Sequence, residues 1–205
     1  EGPWEFIRPD RLPETFAAIP ADSDLGGVRV SVAGTPEAEN AVLDAQIPQT
    51  AAIDRSTTIE VTYDGDPQWV QIDGTEVAYA VNTGSQVLRI GGHYYAADEG
   101  VWFESESANG PWRVADNVPS AQIAEIPPTE PVYNLTSLQV YDSSPEVVHV
   151  GYTPGYTWSY PYYGVPFYGT GWYYRPWWGP RFYYPRFPTW GFHAGYNPWT
   201  GWSMG

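Results

Sequence analysis

The chain has 205 residues, with 24 acidic side chains, nine arginines, no lysine and no cysteine, for a formal net charge of −15. This length supports one or two domains with a sizeable core, and the lack of cysteine excludes disulfides and thiolate metal sites. All 24 acids and six arginines fall in residues 1–150, a net −18, while 151–205 hold Arg175, Arg181 and Arg186 and no acid, a net +3. An acidic body of this kind repels nucleic-acid phosphates, so no nucleic acid is expected as a partner. The split favours head-to-tail attraction between copies; equally, the acidity would serve to keep an extracellular domain soluble. No apolar run approaches the roughly 20 residues of a membrane span, and the start at Glu1 inside a motif reads as a processed or trimmed product.

Residues 1–34 carry Pro3, Pro9, Pro13 and Pro20 among scattered apolar positions. They read as an extended arm that leads to a strand from Val28 to Val32. Thr35-Pro36-Glu37 predicts a helix start, with a capping hydroxyl, a proline in the first turn, and Glu37 and Glu39 where the dipole favours acids. Ala38, Ala41, Val42 and Ala45 recur on one face, and Pro48 marks the end. A linker completes this unit, 35–56.

From 57 to 116 short alternating runs separated by turn residues predict an antiparallel β module. Thr58 to Tyr63, Gln68 to Ile72, Thr75 to Val81, Gln86 to Ile90, His93 to Ala97, Val101 to Ser105 and Trp112 to Ala115 are the strand candidates. Asp73-Gly74 is a hairpin signal, and Gly91-Gly92, Asp98-Glu99-Gly100 and Asn109-Gly110 mark further turns. Five to seven such strands make a small twisted meander or open barrel.

Residues 117–150 read as a proline-rich linker with strands, and they introduce an internal repeat. Gly2-Pro3-Trp4 recurs as Gly110-Pro111-Trp112, Ile19-Pro20 as Ile126-Pro127, and Thr35-Pro36-Glu37-Ala38 as Ser144-Pro145-Glu146-Val147. Landmarks that agree so closely in spacing imply a longer parent chain with a repeated unit, Glu1 following a cut near the end of one sheet module. The copies diverge after the shared Pro-Glu, where Val147 to Val150 reads as a strand.

Several stretches carry a resemblance. Ala41 to Thr50, His93-Tyr94-Tyr95 with Gly100-Val101-Trp102-Phe103 and Gly110-Pro111-Trp112, and Val140 to Glu146 with Gly151-Tyr152-Thr153-Pro154-Gly155-Tyr156 resemble a family of large bacterial cell-envelope or secreted proteins. Some members are labelled as similar to carbohydrate-binding modules of the chitin-binding type. The resemblance covers most of the chain and implies an envelope setting, but no mechanism.

No catalytic constellation is present. His93, His149 and His193 lie in unrelated segments without metal-pair spacing, no serine sits in a nucleophile elbow, and no glycine-rich loop opens a helix. Glu104 and Glu106 share a strand face and read as solvated. Asp22/Asp24, Asp64/Asp66 and Asp98/Glu99 lack the ligand count of a calcium loop, and turn formation explains them. Neither a cofactor nor an enzyme is expected. Asn134-Leu135-Thr136 matches the N-glycosylation sequon. Trp69, Tyr94, Tyr95, Trp102 and Trp112 are candidate glycan-stacking rings, against the alternative that they form the module's core, which the Gly-Val and Gly-Pro contexts favour for Trp102 and Trp112.

In residues 151–205, 22 of 55 positions are aromatic, ten are glycine and eight are proline. Rings of this density carry a large apolar area, yet the prolines deny them a long helix or a central strand. The segment therefore reads as an irregular tail with three alternatives: a disordered adhesive, a belt folded on its own body, or a docking element for another copy. In the last, Tyr156, Trp158, Trp172, Tyr173, Tyr174, Arg175, Trp177, Trp178, Arg181, Tyr183, Tyr184, Arg186, Trp190, Trp199 and Trp202 would mediate self-assembly, with arginines stacking on rings. The leading expectation is a mainly β, non-catalytic, extracellular or cell-surface structural subunit that polymerises into a filament or surface layer. The alternative is a carbohydrate-binding envelope module.

Overall fold

A computed structural model of the chain describes residues 5–167 and, in backbone alone, the antiparallel strand pairs 177–178 with 182–183 and 194–197 with 201–204. The described fold is mainly β. Among residues 5–167 there are eleven strands, all paired antiparallel, and a single helix longer than four residues in the α class.

The arm carries helical turns where a strand was expected. Pro9–Arg11 is a 3-10 turn, α1 covers Glu14–Ala17, and Gly26–Ser31 forms a second 3-10 helix over the positions that read as the Val28 to Val32 strand. Arg29 explains the preference for compactness. Its Nη1 donates to the carbonyls of Ala17 (2.7 Å) and Ile19 (2.8 Å), and its Nε pairs with Glu37 (2.9 Å), tying three segments together. The helix announced by Thr35 is α2, Pro36–Asp44: Thr35 Oγ1 accepts from the Ala38 amide at 3.2 Å and Pro36 opens the first turn. The hydrogen bond from Arg29, and then the backbone amide of Glu37 itself, hold the Glu37 carboxyl below its usual range.

The largest element is a six-stranded up-and-down meander of β2 Trp69–Gln71, β3 Val77–Ala80, β4 Gln86–Ile90, β5 His93–Asp98, β6 Val101–Ser105 and β7 Arg113–Val114, in sequence order. The turns fall where glycine supplies positive φ, including Gly74 (77°) and Gly100 (76°). The expected Thr58 to Tyr63 strand makes no ladder; Tyr63 forms one bridge to Thr83, while Val61 is buried. A smaller sheet contains β1 Gln49–Asp54, β8 Leu138–Ser143 and β9 Val147–Tyr152, with β9 central. Residues 49–54 thus form a strand inside the 35–56 segment that reads as helix and linker.

Both faces of the meander are covered. On one face Val77, Leu88, Ile90 and Trp102 pack with Ile123, Ile126, Val132 and Leu135 from the crossing segment, which contains α3 Ser120–Ile123 and the 3-10 helix Tyr133–Ser137. Tyr152 and Tyr156 join that cluster. On the other face Val87, Ala96, Phe103 and Val114 meet Val148 and Val150 of β9, with Ala51 and Ile53 of β1 at the margin. The chain then forms a hairpin of β10 Tyr160–Tyr162 and β11 Val165–Phe167 beside α2.

Gly151 sits in the middle of the smaller sheet under a bulge that inserts Tyr141 between Val140 and Asp142. A Cβ at Gly151 would lie 2.5 Å from the Tyr141 ring and 2.6 Å from the Gln49 carbonyl oxygen. The ring can swing aside, but the neighbouring strand's backbone cannot do so without breaking its register. Gly151→Ala is therefore expected to cost about 1–3 kcal/mol by overpacking, a melting-temperature loss of roughly 2–4 °C per kcal/mol. Adding Tyr141→Ala should recover only part of it; full recovery in the double variant would show that the ring alone excludes the side chain.

Candidate functional site

The five candidate rings do not form one row, because adjacent residues of a strand point to opposite faces. Trp102 is 1% exposed and Trp112 is 4% exposed, in the cores on opposite sides of the meander, so neither ring is open for stacking, and Trp112 only borders the cleft at the β5–β6–β7 edge. Trp69 and Tyr94 are half-buried on the face that meets the smaller sheet, with centroids 5.4 Å apart, and the Arg89 guanidinium lies 5.1 Å from the Trp69 ring centroid. Tyr95, half-buried, points the other way.

Tyr95 opens into a cleft of about 660 Å³ at the β5–β6–β7 edge of the meander. The register aligns Tyr95 with Glu104 and Glu104 with Arg113, so the three stand in a row across the sheet. His93 extends the β5 side, the Glu106 to Pro111 loop forms one wall, and Asp116 and Asn117 close the far end. Gly110 turns that loop with φ 85°; a Cβ there would stand 2.9 Å from the Trp112 ring, so the wall depends on glycine.

The charges in the cleft are largely tied down. Arg113 Nε donates to Glu104 Oε1 at 2.9 Å, and Asp116 is held by Arg55 at 2.7 Å. Arg55 in turn donates through Nε to the Ser144 carbonyl at 2.6 Å, and so braces the cleft floor against the β8–β9 turn. Burial, and then the Glu104 carboxylate, push the Tyr95 phenol above its usual range, which keeps it a neutral donor. Carboxylate acceptors, guanidinium donors, amide and ring together suit a neutral polyhydroxylated molecule, which needs hydrogen bonds in both senses and one apolar face to stack.

Other sequence candidates resolve differently. Asn134 is 1% exposed, and its amide exchanges hydrogen bonds with the Gln86 amide (3.0 and 3.1 Å), so the sequon has no room for a glycan. Among the described residues no group of three or more His, Asp or Glu side chains is placed to hold a metal ion. Also among them, no helix is long and apolar enough to cross a membrane. Sequence reasoning missed Arg55 and Asn117, which lie in segments read as linkers, and Asp116, the last residue of the β module and beyond its final strand candidate.

The self-assembly set divides. Tyr156 and Trp158 belong to the body: Tyr156 is 0% exposed, packs 5.0 Å from the Tyr152 centroid and accepts the Gly100 amide at 3.3 Å, and Trp158 is 8% exposed. Both are therefore removed from any docking surface. Trp172, Tyr173, Tyr174, Arg175, Arg181, Tyr184, Arg186, Trp190 and Trp199 lie outside the described residues. Trp177, Trp178, Tyr183 and Trp202 fall in described backbone pairs, and their side chains lie outside the description. No protein-family model matches the chain, and no curated protein or solved structure shows significant similarity to it.

Proposed function

We propose that this is a non-catalytic, extracellular or cell-surface carbohydrate-binding module whose ligand lies in the cleft between β5 and β7. The observation that carries the reading is the Tyr95–Glu104–Arg113 row, which sets a ring beside a fixed acceptor and donor at an open sheet edge. Ring faces stack on apolar sugar faces, while the ion pair and Asn117 meet hydroxyls. Glu104 and Asp116 are each engaged by an arginine, which suits binding rather than proton transfer. Retention on chitin, cellulose and peptidoglycan tests the proposal. Tyr95→Ala and Glu104→Gln should each weaken retention about tenfold, the equivalent of 1.4 kcal/mol, and Trp69→Ala, on the opposite face, should leave it unchanged. Absence of retention on all three polymers by the intact chain would end this reading.

A second reading is self-assembly into a filament or surface layer through 168–205. It rests on the division of charge between an acidic body and an arginine-bearing aromatic tail. A chain ending at Phe167 should lose salt-sensitive assembly under this reading, and assembly that persists without the tail would remove it.

A further inference from the structure

The internal repeat has a structural counterpart, and the two copies differ in what covers them. At a constant offset of 107 residues four backbone hydrogen bonds recur: Ile19 to Phe16 (3.4 Å) matches Ile126 to Ile123 (3.1 Å), Ser23 to Pro20 (3.1 Å) matches Glu130 to Pro127 (3.0 Å), Gly26 to Ser23 (2.8 Å) matches Tyr133 to Glu130 (3.1 Å), and Val28 to Leu25 (3.0 Å) matches Leu135 to Val132 (3.0 Å). A short helix followed by a 3-10 helix appears in each copy. The backbone of 16–28 thus repeats that of 123–135.

Burial does not repeat. In the second copy Ile123, Val132 and Leu135 are 4%, 3% and 0% exposed, because they lie on the meander. Their counterparts Phe16, Leu25 and Val28 are 37%, 63% and 38% exposed. Arg29 and Glu37 hold the first copy in shape, so these side chains form a fixed face without its sheet.

We infer that residues 5–34 are the cover of a second sheet of the kind formed by 69–114, whose first five strands are supplied by a like unit of the same polypeptide that precedes the arm as 69–105 precede 113–138. The second copy displays the partner's chemistry: a sheet face of aliphatic side chains and one tryptophan, as Val77, Leu88, Ile90 and Trp102 provide. Another copy of this chain does not fit as the source, since its meander face is already filled by its own crossing segment.

The test uses the full chain alone and the same chain carrying an added sheet, residues 57–109 placed directly ahead of Gly2. Hydrogen exchange at the Gly26 and Val28 amides should slow at least tenfold in the extended chain, and the triple variant Phe16→Asp, Leu25→Asp, Val28→Asp should abolish that protection. In the unextended chain the same triple variant should leave the melting temperature within about 2 °C, since exposed substitutions cost little. Three results would each overturn the proposal: unchanged exchange in the extended chain, a large loss of stability from the triple variant in the unextended chain, or protection that rises with concentration without an added sheet. The last would assign the face to a second copy.

Discussion

Asn82→Asp is expected to destabilise the chain by about 3–5 kcal/mol at pH 7, the range for an uncompensated buried charge. Asn82 is 0% exposed and organises the loop ahead of β2. Its Oδ1 accepts from the Gln68 amide at 2.8 Å, while Nδ2 donates to the carbonyls of Asp64 and Asp66, both at 2.8 Å. Its own carbonyl accepts from the Asp64 amide at 2.8 Å. An aspartate keeps the acceptor but turns an anionic oxygen toward two carbonyls, losing both donors and adding repulsion. Burial and those carbonyls would raise its folded pKa above the unfolded value of about 3.9. The sign follows: below the unfolded value the protonated acid restores one donor and the charge penalty is absent, and the penalty grows as pH rises toward the folded pKa. Thermal melts at pH 4.5 and 7.5 should show a larger deficit at the higher pH, whereas Asn82→Ala should show a similar deficit at both. Equal melting of Asn82→Asp and the parent at pH 7.5 would sink the argument.

The same residue shows why part of the fold was legible in sequence and part was not. The strands of the meander follow from alternation and from turn glycines: Gln86–Ile90 and Val101–Ser105 fall where the pattern places them, as does the helix start at Thr35-Pro36. These are local signals, decided by residues within a few positions. Thr58 to Tyr63 alternates equally well, yet the Asn82 hydrogen bonds hold the next segment as a loop, and the run packs as an irregular flank. The opposite error occurs at Gln49–Asp54, where Ala51 and Ile53 are the inward positions but Ala52 between them blurs the alternation, and the run offers little β-branched bulk. That strand exists because β9 presents a free edge, a long-range fact. Val28 to Val32 fails for a third reason: Arg29 is worth more capping two carbonyls than facing outward from a strand.

The candidate site divides along the same line. Tyr95 was visible as an aromatic on a predicted strand, but its separation from Tyr94 and Trp69 needed the face assignment, and its partners needed the register. Asp116 is held at the cleft by Arg55, 61 positions away, a pairing no local pattern announces. For Trp102 and Trp112 the Gly-Val and Gly-Pro contexts already point to the core rather than to a glycan, and a sheet covered on both faces does bury its largest rings.

Ending the chain at Gly151 should abolish cooperative folding, whereas ending it at Phe167 should preserve the body. The first cut removes Tyr152, 1% exposed, Tyr156, 0% exposed, and Val165, 2% exposed. It also takes away the Thr153 amide's bond to the Ser137 carbonyl (3.0 Å), which anchors the strand end to the crossing segment. Truncating one large aromatic in a core costs about 3–5 kcal/mol, so two together approach the whole stability of an ordinary domain, about 5–15 kcal/mol. Tyr156→Ala alone should cost about 3–5 kcal/mol, and Tyr156→Phe about 1 kcal/mol for the bond from the Gly100 amide. Circular-dichroism melts of the two truncations and the two point variants check the series. The aromatic-rich region therefore contributes to the core at least as far as Val165. Any assay of tail-driven assembly that cuts at Gly151 would read unfolding as loss of function, and a stable, cooperatively melting chain ending at Gly151 would refute the assignment of Tyr152 and Tyr156 to the core.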